Sequence, residues 1–214
     1  MTASGLPPPP IRFPAIQSYT LRVGTELHRT HAGGFRPAEF NPCRGQPMRF
    51  SPIEDEAGRC VPSLYDASSR EAAAFESIFH DIDARAAFKT IRQDVVEIRA
   101  VSRITNKRAL CLASLFTPDL KAWGLARSDL IDTSKFYYRQ TAPWAAALHG
   151  ANPDIEGLVW TSRQCDPDLS FLMFGDRVAE SDFDIVERRD VGDDAALLLE
   201  LRGFGKRAGI TIVS

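Results

Sequence analysis

The sequence predicts an α+β fold, a single domain of short strands with flanking helices. Three observations carry this. Short apolar or alternating runs recur along the chain, bounded by Gly, Pro, Asn and Asp. Between them lie stretches with helix start and stop signals. The 214 residues hold no internal repeat and no internal linker, a length that one domain can fill.

The elements follow in order. "MTASGLPPPPIRFPAI" has small residues and a four-proline run, which favours extended backbone along the surface or loose. Residues 1–17 therefore stand apart from a domain spanning 18–214. "YTLRV" and "ELHRTH" read as strands around a turn at Gly24. In the second, Leu27, Arg29 and His31 point one way and Glu26, His28 and Thr30 the other. "AGGFRPAEFNPCRGQP" is longer than a connection needs, and long ordered loops are often functional. "MRFSP" and "SLYDA" are short strands around a turn-rich segment.

Ser68 and Glu71 have capping-box spacing, and Ala72, Phe75, Ile78, Phe79 and Ile82 continue as one apolar stripe, a helix to about Asp83. Glu76 sits at the margin of that stripe. Side chains on a helix lean toward its N-terminus, so Ala72 and Ala73 line the space beside this carboxylate with methyl groups. "DVVEIRAVSRI" and "ALCLASL" read as strands joined at "NK". "TPDLKAWG" is a short helix stopping at Gly124, and "TAPWAAALHG" repeats the grammar, with Thr141 as cap, Pro143 in the first turn and Gly150 after the end. "GLVWTS" is a strand with Trp160 and Ser162 on one face; "FDIVERRDV", "ALLLELRGFG" and "GITIVS" close the chain as strands.

Bulk properties narrow the function. Apolar residues make up 44% and charged residues 25%, ordinary for a soluble domain. A net charge of −2 argues against holding nucleic acid by bulk electrostatics. No apolar run is long enough to cross a bilayer and no secretory signal is visible, so a cytoplasmic protein is expected, without membrane attachment. Cys43, Cys60, Cys111 and Cys165 are widely spaced without a C-x-x-C pair and read as reduced thiols. The sequence has no G-x-S-x-G, H-E-x-x-H or complete phosphate loop. His28 and His31 fall on opposite strand faces, so no shared metal is expected.

Arg29, Arg49, Tyr65, Glu76 and Ser162 each sit where an element meets an irregular segment. Singly, each has an ordinary structural explanation: a solvated arginine, a packed tyrosine, a glutamate paired with His80, a serine forming a turn. Their surroundings point elsewhere. "LHRTH", "FNPCRGQPMRFSP", "SLYDASSREAAAFESIFHD", "TAPWAAALHG" and "EGLVWTSRQCDP", in that order, resemble the RES-domain family, named for an Arg, a Glu and a Ser. The likeness runs from about Leu27 to Arg177. Glu76 and Ser162 take the places of the name-giving Glu and Ser. Arg49 takes that of the family's "GGRW" arginine, Arg29 that of an arginine on the first strand, and Tyr65 that of an active-site tyrosine. The sequence departs in having no Gly-Gly before Arg49 and a longer stretch between Arg49 and Tyr65.

The resemblance implies an ADP-ribosyltransferase-like fold with mostly antiparallel strands. It also implies a toxin of a bacterial toxin–antitoxin pair, partnered by an Xre-type helix-turn-helix antitoxin, with NAD+ as substrate and no retained cofactor or metal. Cleaving the nicotinamide–ribose bond builds positive charge on the anomeric carbon, which a carboxylate opposes; that role falls to Glu76. Arg29 and Arg49 offer planar charged donors for the pyrophosphate. Tyr65 would wall the nicotinamide or ribose. Ser162 would hold Glu76 or a ligand hydroxyl. The acceptor is open between water, phosphate and a protein side chain; the last would make the chain a mono-ADP-ribosyltransferase, and a non-catalytic binding module is a lesser alternative.

Overall fold

The computed structural model describes residues 5–214; the first four residues of the proline-rich segment lie outside them. Strands β1 (Ser18–Leu21) and β2 (Glu26–Ala32) precede a long irregular segment, then the short β3 (Ile53–Glu54), β4 (Cys60–Val61) and β5 (Ser63–Ala67). Helix α1 (Arg70–Phe75), β6 (Thr90–Arg92), helix α2 (Gln93–Glu97) and β7 (Arg99–Asn106) follow. Next come β8 (Leu110–Ser114), α3 (Thr117–Ala122), α4 (Arg127–Leu130) and α5 (Tyr138–Ala151). Strands β9 (Gly157–Thr161), β10 (Leu169–Phe174) and β11 (Phe183–Asp190), helix α6 (Ala195–Arg207) and β12 (Thr211–Val213) complete the chain.

Eight strands form one sheet in the order β1-β8-β9-β10-β5-β2-β7-β11. Neighbours run antiparallel except β8 and β9, so the expected α+β class with mostly antiparallel strands holds. The sheet has a seam: β2 and β5 pair only through His28 and Ala67. Paired residues point to the same side, so Trp160, Ser170, Ala67 and His28 share one face, here called the front. On the front of the larger half, Trp144, Ala145 and Leu148 of α5 pack with Leu158, Trp160 and Leu172. Across the seam, Ala73 and Phe75 of α1 and Leu197 and Leu201 of α6 pack with Ala67 and Val101. At the back, Leu27 and Ile104 join Leu112, Val159 and Met173 in one cluster, continuous across the seam through Leu64 of β5.

Several local readings are corrected. "ALLLELRGFG" is helical: Asp194 caps α6 by accepting from the Leu197 N–H at 2.9 Å, and Leu197, Leu201 and Gly205 form its buried edge while Leu199 stays exposed. That period of four won over the apolar look of the run. The first part of "DVVEIRAVSRI" is the helical turn α2, and only the rest is strand. "MRFSP" makes an isolated bridge, Met48 with Ser51, rather than a strand. Helix α5 starts three residues before Thr141, whose hydroxyl donates to the Arg49 carbonyl instead of capping.

The helix expected to run from Ser68 to Asp83 ends at Phe75, with Ser69 as its cap, accepting from the Ala72 N–H at 3.0 Å. The Ser77 hydroxyl donates to the Ala73 carbonyl, and the N–H groups of Ile78 and Phe79 both turn back to the Ala74 carbonyl. Bonding of this kind by a serine competes with the helical ladder. The apolar stripe survives because Phe75, Ile78 and Phe79 stay on the buried side through these turns.

The proline-rich segment lies along the surface and is tied down. Trp144 and Trp123 donate their indole N–H groups to the Pro7 and Ala15 carbonyls at 2.9 and 2.8 Å, and the Phe13 ring meets Trp123 edge-on, 5.0 Å between centroids. Cys43 and Cys60 form a disulfide, contrary to the reading of four thiols; Cys111 and Cys165 are free. Pairing of Glu54 with Cys60 in the β3–β4 hairpin carries Cys60 back to the segment that bears Cys43, an approach that the spacing of the cysteines does not reveal.

Candidate functional site

Glu76 occupies the C-terminal cap of α1, its N–H still bonded to the Ala72 carbonyl at 2.8 Å and its side chain half-buried. Carboxylates are disfavoured at this end of a helix, where free carbonyls carry partial negative charge. The chain after β9 supplies the compensation. Glu76 Oε1 accepts from Ser162 Oγ at 2.6 Å, from the Arg163 N–H at 2.8 Å and from the Gln164 N–H at 3.3 Å. Oε2 takes no hydrogen bond from the described residues. Ser162 is fully buried, and its Oγ in turn accepts from the N–H groups of Gln164 and Cys165 at 3.1 and 3.0 Å. One serine thus closes the turn after β9 and fixes the carboxylate. His80 does not pair with Glu76; its ring bonds the Ser77 carbonyl and lies near Asp81.

The same turn is anchored at the other end of α1. Asp168 accepts from Ser68 Oγ at 2.6 Å and from Ser69 Oγ at 2.9 Å. Segment 162–168 therefore straps the whole length of the helix, which keeps Glu76 in register with β9.

Arg49 is buried and enters from the irregular segment before β3. Its Nη1 donates to Thr133 Oγ1 at 2.8 Å and to the Thr133 carbonyl at 3.2 Å, and its guanidinium lies 5.2 Å from the centre of the Tyr138 ring. Burial pulls its pKa down; Tyr138 and Glu76 oppose that, and Arg163 adds to it. Tyr65 projects from the front of β5 beside Trp160, 6.4 Å between ring centres. Its hydroxyl accepts from the Phe50 N–H at 3.1 Å and lies 3.2 Å from Ser51 Oγ, and burial pushes its pKa up to about 12. Tyr65 thus ties the backbone next to Arg49 to the sheet, and stays a neutral phenol at ordinary pH.

Arg49, Tyr65, Glu76 and Ser162 converge where the two front-face cores meet. Arg29 is not brought to them. It lies on the back of β2, opposite the face that carries His28 and Ala67. There its Nη1 donates to the carbonyls of Pro37, Glu39 and Arg36 at 2.9, 3.0 and 3.4 Å, pinning the long segment after β2. Asp66 shares that face; both of its oxygens are buried without a hydrogen-bond partner, and burial pushes its carboxyl up to about 7 against the pull of Arg29. Three residues at the site had no part in the sequence reading: Thr133, Tyr138 and Arg163. Arg163 follows Ser162 directly, a usable signal; Thr133 and Tyr138 carry none, because only the fold brings them to Arg49.

Among the described residues, no group of three or more His, Cys, Asp or Glu is placed to hold a metal ion, and no helix is long and apolar enough to cross a membrane.

The family model of the RES domain matches residues 22–192. The chain belongs to the RES-domain family. The matched span takes in all five residues singled out above. A search of curated proteins found no match. Among solved structures, the RES domain is similar to a chain of the MbcT–MbcA toxin–antitoxin complex of M. tuberculosis. The TM-score is 0.59 at 19% identity, covering 86% of this chain and 92% of that one. At that identity the likeness speaks for the fold.

Proposed function

We propose that this RES domain is the toxin of a bacterial toxin–antitoxin pair and cleaves the nicotinamide–ribose bond of NAD+ in the cytoplasm. The observation that carries the reading is Glu76: a carboxylate with one oxygen held by Ser162 and two backbone N–H groups, and the other left for a ligand, close enough to the buried Arg49 cation to act on it. In such a cleavage the C1′–N bond breaks and its electron pair stays with nicotinamide, which leaves neutral. Positive charge grows on the ribose carbon, where a fixed carboxylate is worth most. The acceptor, water or phosphate, then bonds to that carbon and gives up a proton. Arg49 supports the phosphates, and Tyr65, beside Trp160, offers a ring against the ribose or nicotinamide. The MbcT–MbcA neighbour, a toxin–antitoxin complex, supports a cognate antitoxin partner, which we take to be of the Xre type.

The test is nicotinamide release from NAD+ by the purified chain and by Glu76→Gln. The substitution keeps shape and removes charge, and release is expected to fall by a factor of 100 or more with the melting temperature little changed. A folded Glu76→Gln protein with full activity would sink the proposal. Labelled NAD+ added to lysate separates free products from a modified protein, the outcome expected of a mono-ADP-ribosyltransferase.

A further inference from the structure

Two guanidinium groups end on one carbonyl. Nη1 of Arg49 and Nη1 of Arg163 both donate to the Thr133 carbonyl, at 3.2 and 2.9 Å. Among the described residues neither arginine has a carboxylate within 4.0 Å. By contrast, Arg70 is paired with Glu187 and Glu200, Arg108 with Glu156 and Asp182, and Arg127 with Asp132, while Arg29 is held by carbonyls as these two are. A buried cation without a counter-ion is unfavourable, and a second cation beside it adds to the cost. Glu76 acts on Arg49 through space but makes no ion pair within 4.0 Å with either arginine. The Nε and Nη2 groups of both arginines donate to no described residue, which leaves two forks of the kind that grip phosphoryl oxygens.

We infer that Arg163 is a substrate-binding residue that forms, with Arg49, a two-guanidinium clamp for the diphosphate bridge of the dinucleotide. The inference rests on the NAD+ reading. The Thr133 carbonyl acts as the post on which both forks are spaced, so that each arginine serves one phosphoryl group. Because the Arg163 backbone also holds Glu76, the clamp and the carboxylate are set by a single residue: grip on the diphosphate fixes where the ribose stands relative to Oε2.

Binding of three probes to wild type, Arg163→Gln and Arg163→Lys tests this, with melting temperatures run alongside. The probes are ADP-ribose, nicotinamide riboside (the ribose end without phosphate) and inorganic phosphate. The expected result is a tenfold or greater loss of ADP-ribose affinity in Arg163→Gln, partly restored in Arg163→Lys, with nicotinamide riboside binding unchanged. In NAD+ turnover the loss should appear in KM rather than kcat. Unchanged ADP-ribose affinity overturns the inference. So does an equal loss for nicotinamide riboside, which would mean that the side chain acts through Glu76. A loss for inorganic phosphate but not for ADP-ribose would assign the pair to a phosphate acceptor and overturn the diphosphate role. If wild type binds neither organic probe, the NAD+ reading itself fails, a result distinct from all of these.

Discussion

Asp66→Asn should stabilise this protein, and increasingly so as the pH rises. Asp66 is buried on the back of β5 with both oxygens unpartnered, and its carboxyl is pushed up to about 7 from the ordinary 3.8. A carboxyl whose folded pKa is raised favours folding only while protonated. The penalty is absent below pH 3.8, where folded and unfolded chains both carry the proton, and complete above pH 7, where both have lost it. At about 1.4 kcal/mol per pH unit the full penalty is about 4 kcal/mol, of which about 2.5 kcal/mol accrues between pH 5 and pH 8. Asparagine does not titrate, so its own unpartnered amide adds an offset that is constant with pH. Urea unfolding of both proteins at pH 5 and pH 8 isolates the titration from the offset. The stability difference should move in favour of Asp66→Asn by about 2–3 kcal/mol across that interval. A difference that is flat with pH, or that moves toward wild type, would refute the claim that Asp66 is buried without compensation.

Two further outcomes follow from the geometry. Ser162→Ala removes a donor to Glu76 and the acceptor for two backbone N–H groups, so it should cost about 2–3 kcal/mol of stability and lower nicotinamide release at least tenfold; an unchanged rate in the folded variant would detach Ser162 from Glu76. Gly157→Ala places a methyl group against the Leu172 carbonyl and the Leu112 side chain where β9 lies between β8 and β10; a loss of about 2–4 kcal/mol by urea unfolding is expected, and a loss under 1 kcal/mol would mean that the strands separate easily.

What was legible in the sequence follows from range. The pairing of Glu76 with Ser162 was readable because the family resemblance singles out both residues, although they stand 86 positions apart in the chain. Strand alternation correctly grouped Arg29 with Leu27 and His31, yet a period of two does not say which face bears the site, and Arg29 turned out to be on the other one. The apolar stripe through Phe79 was right about burial and wrong about the helix, because a serine bonding back to its own turn leaves the spacing of buried residues nearly unchanged. Arg163 was in view, but its meaning depends on Thr133, which lies in a part of the chain with only a diffuse hydrophobic pattern.

The strap from Ser162 to Asp168 also bears on how the molecule comes into being. Arg49, Tyr65 and Glu76 leave the ribosome early, while the hydroxyl, the backbone N–H groups and the carboxylate that hold α1 at both ends are synthesised much later. Strand β10, which seats β5 between its neighbours, comes later still. A polypeptide interrupted before Ser162 carries Arg49, Tyr65 and Glu76 and none of the frame that holds α1. The candidate site is therefore assembled only after the segment from Ser162 through β10 has been made.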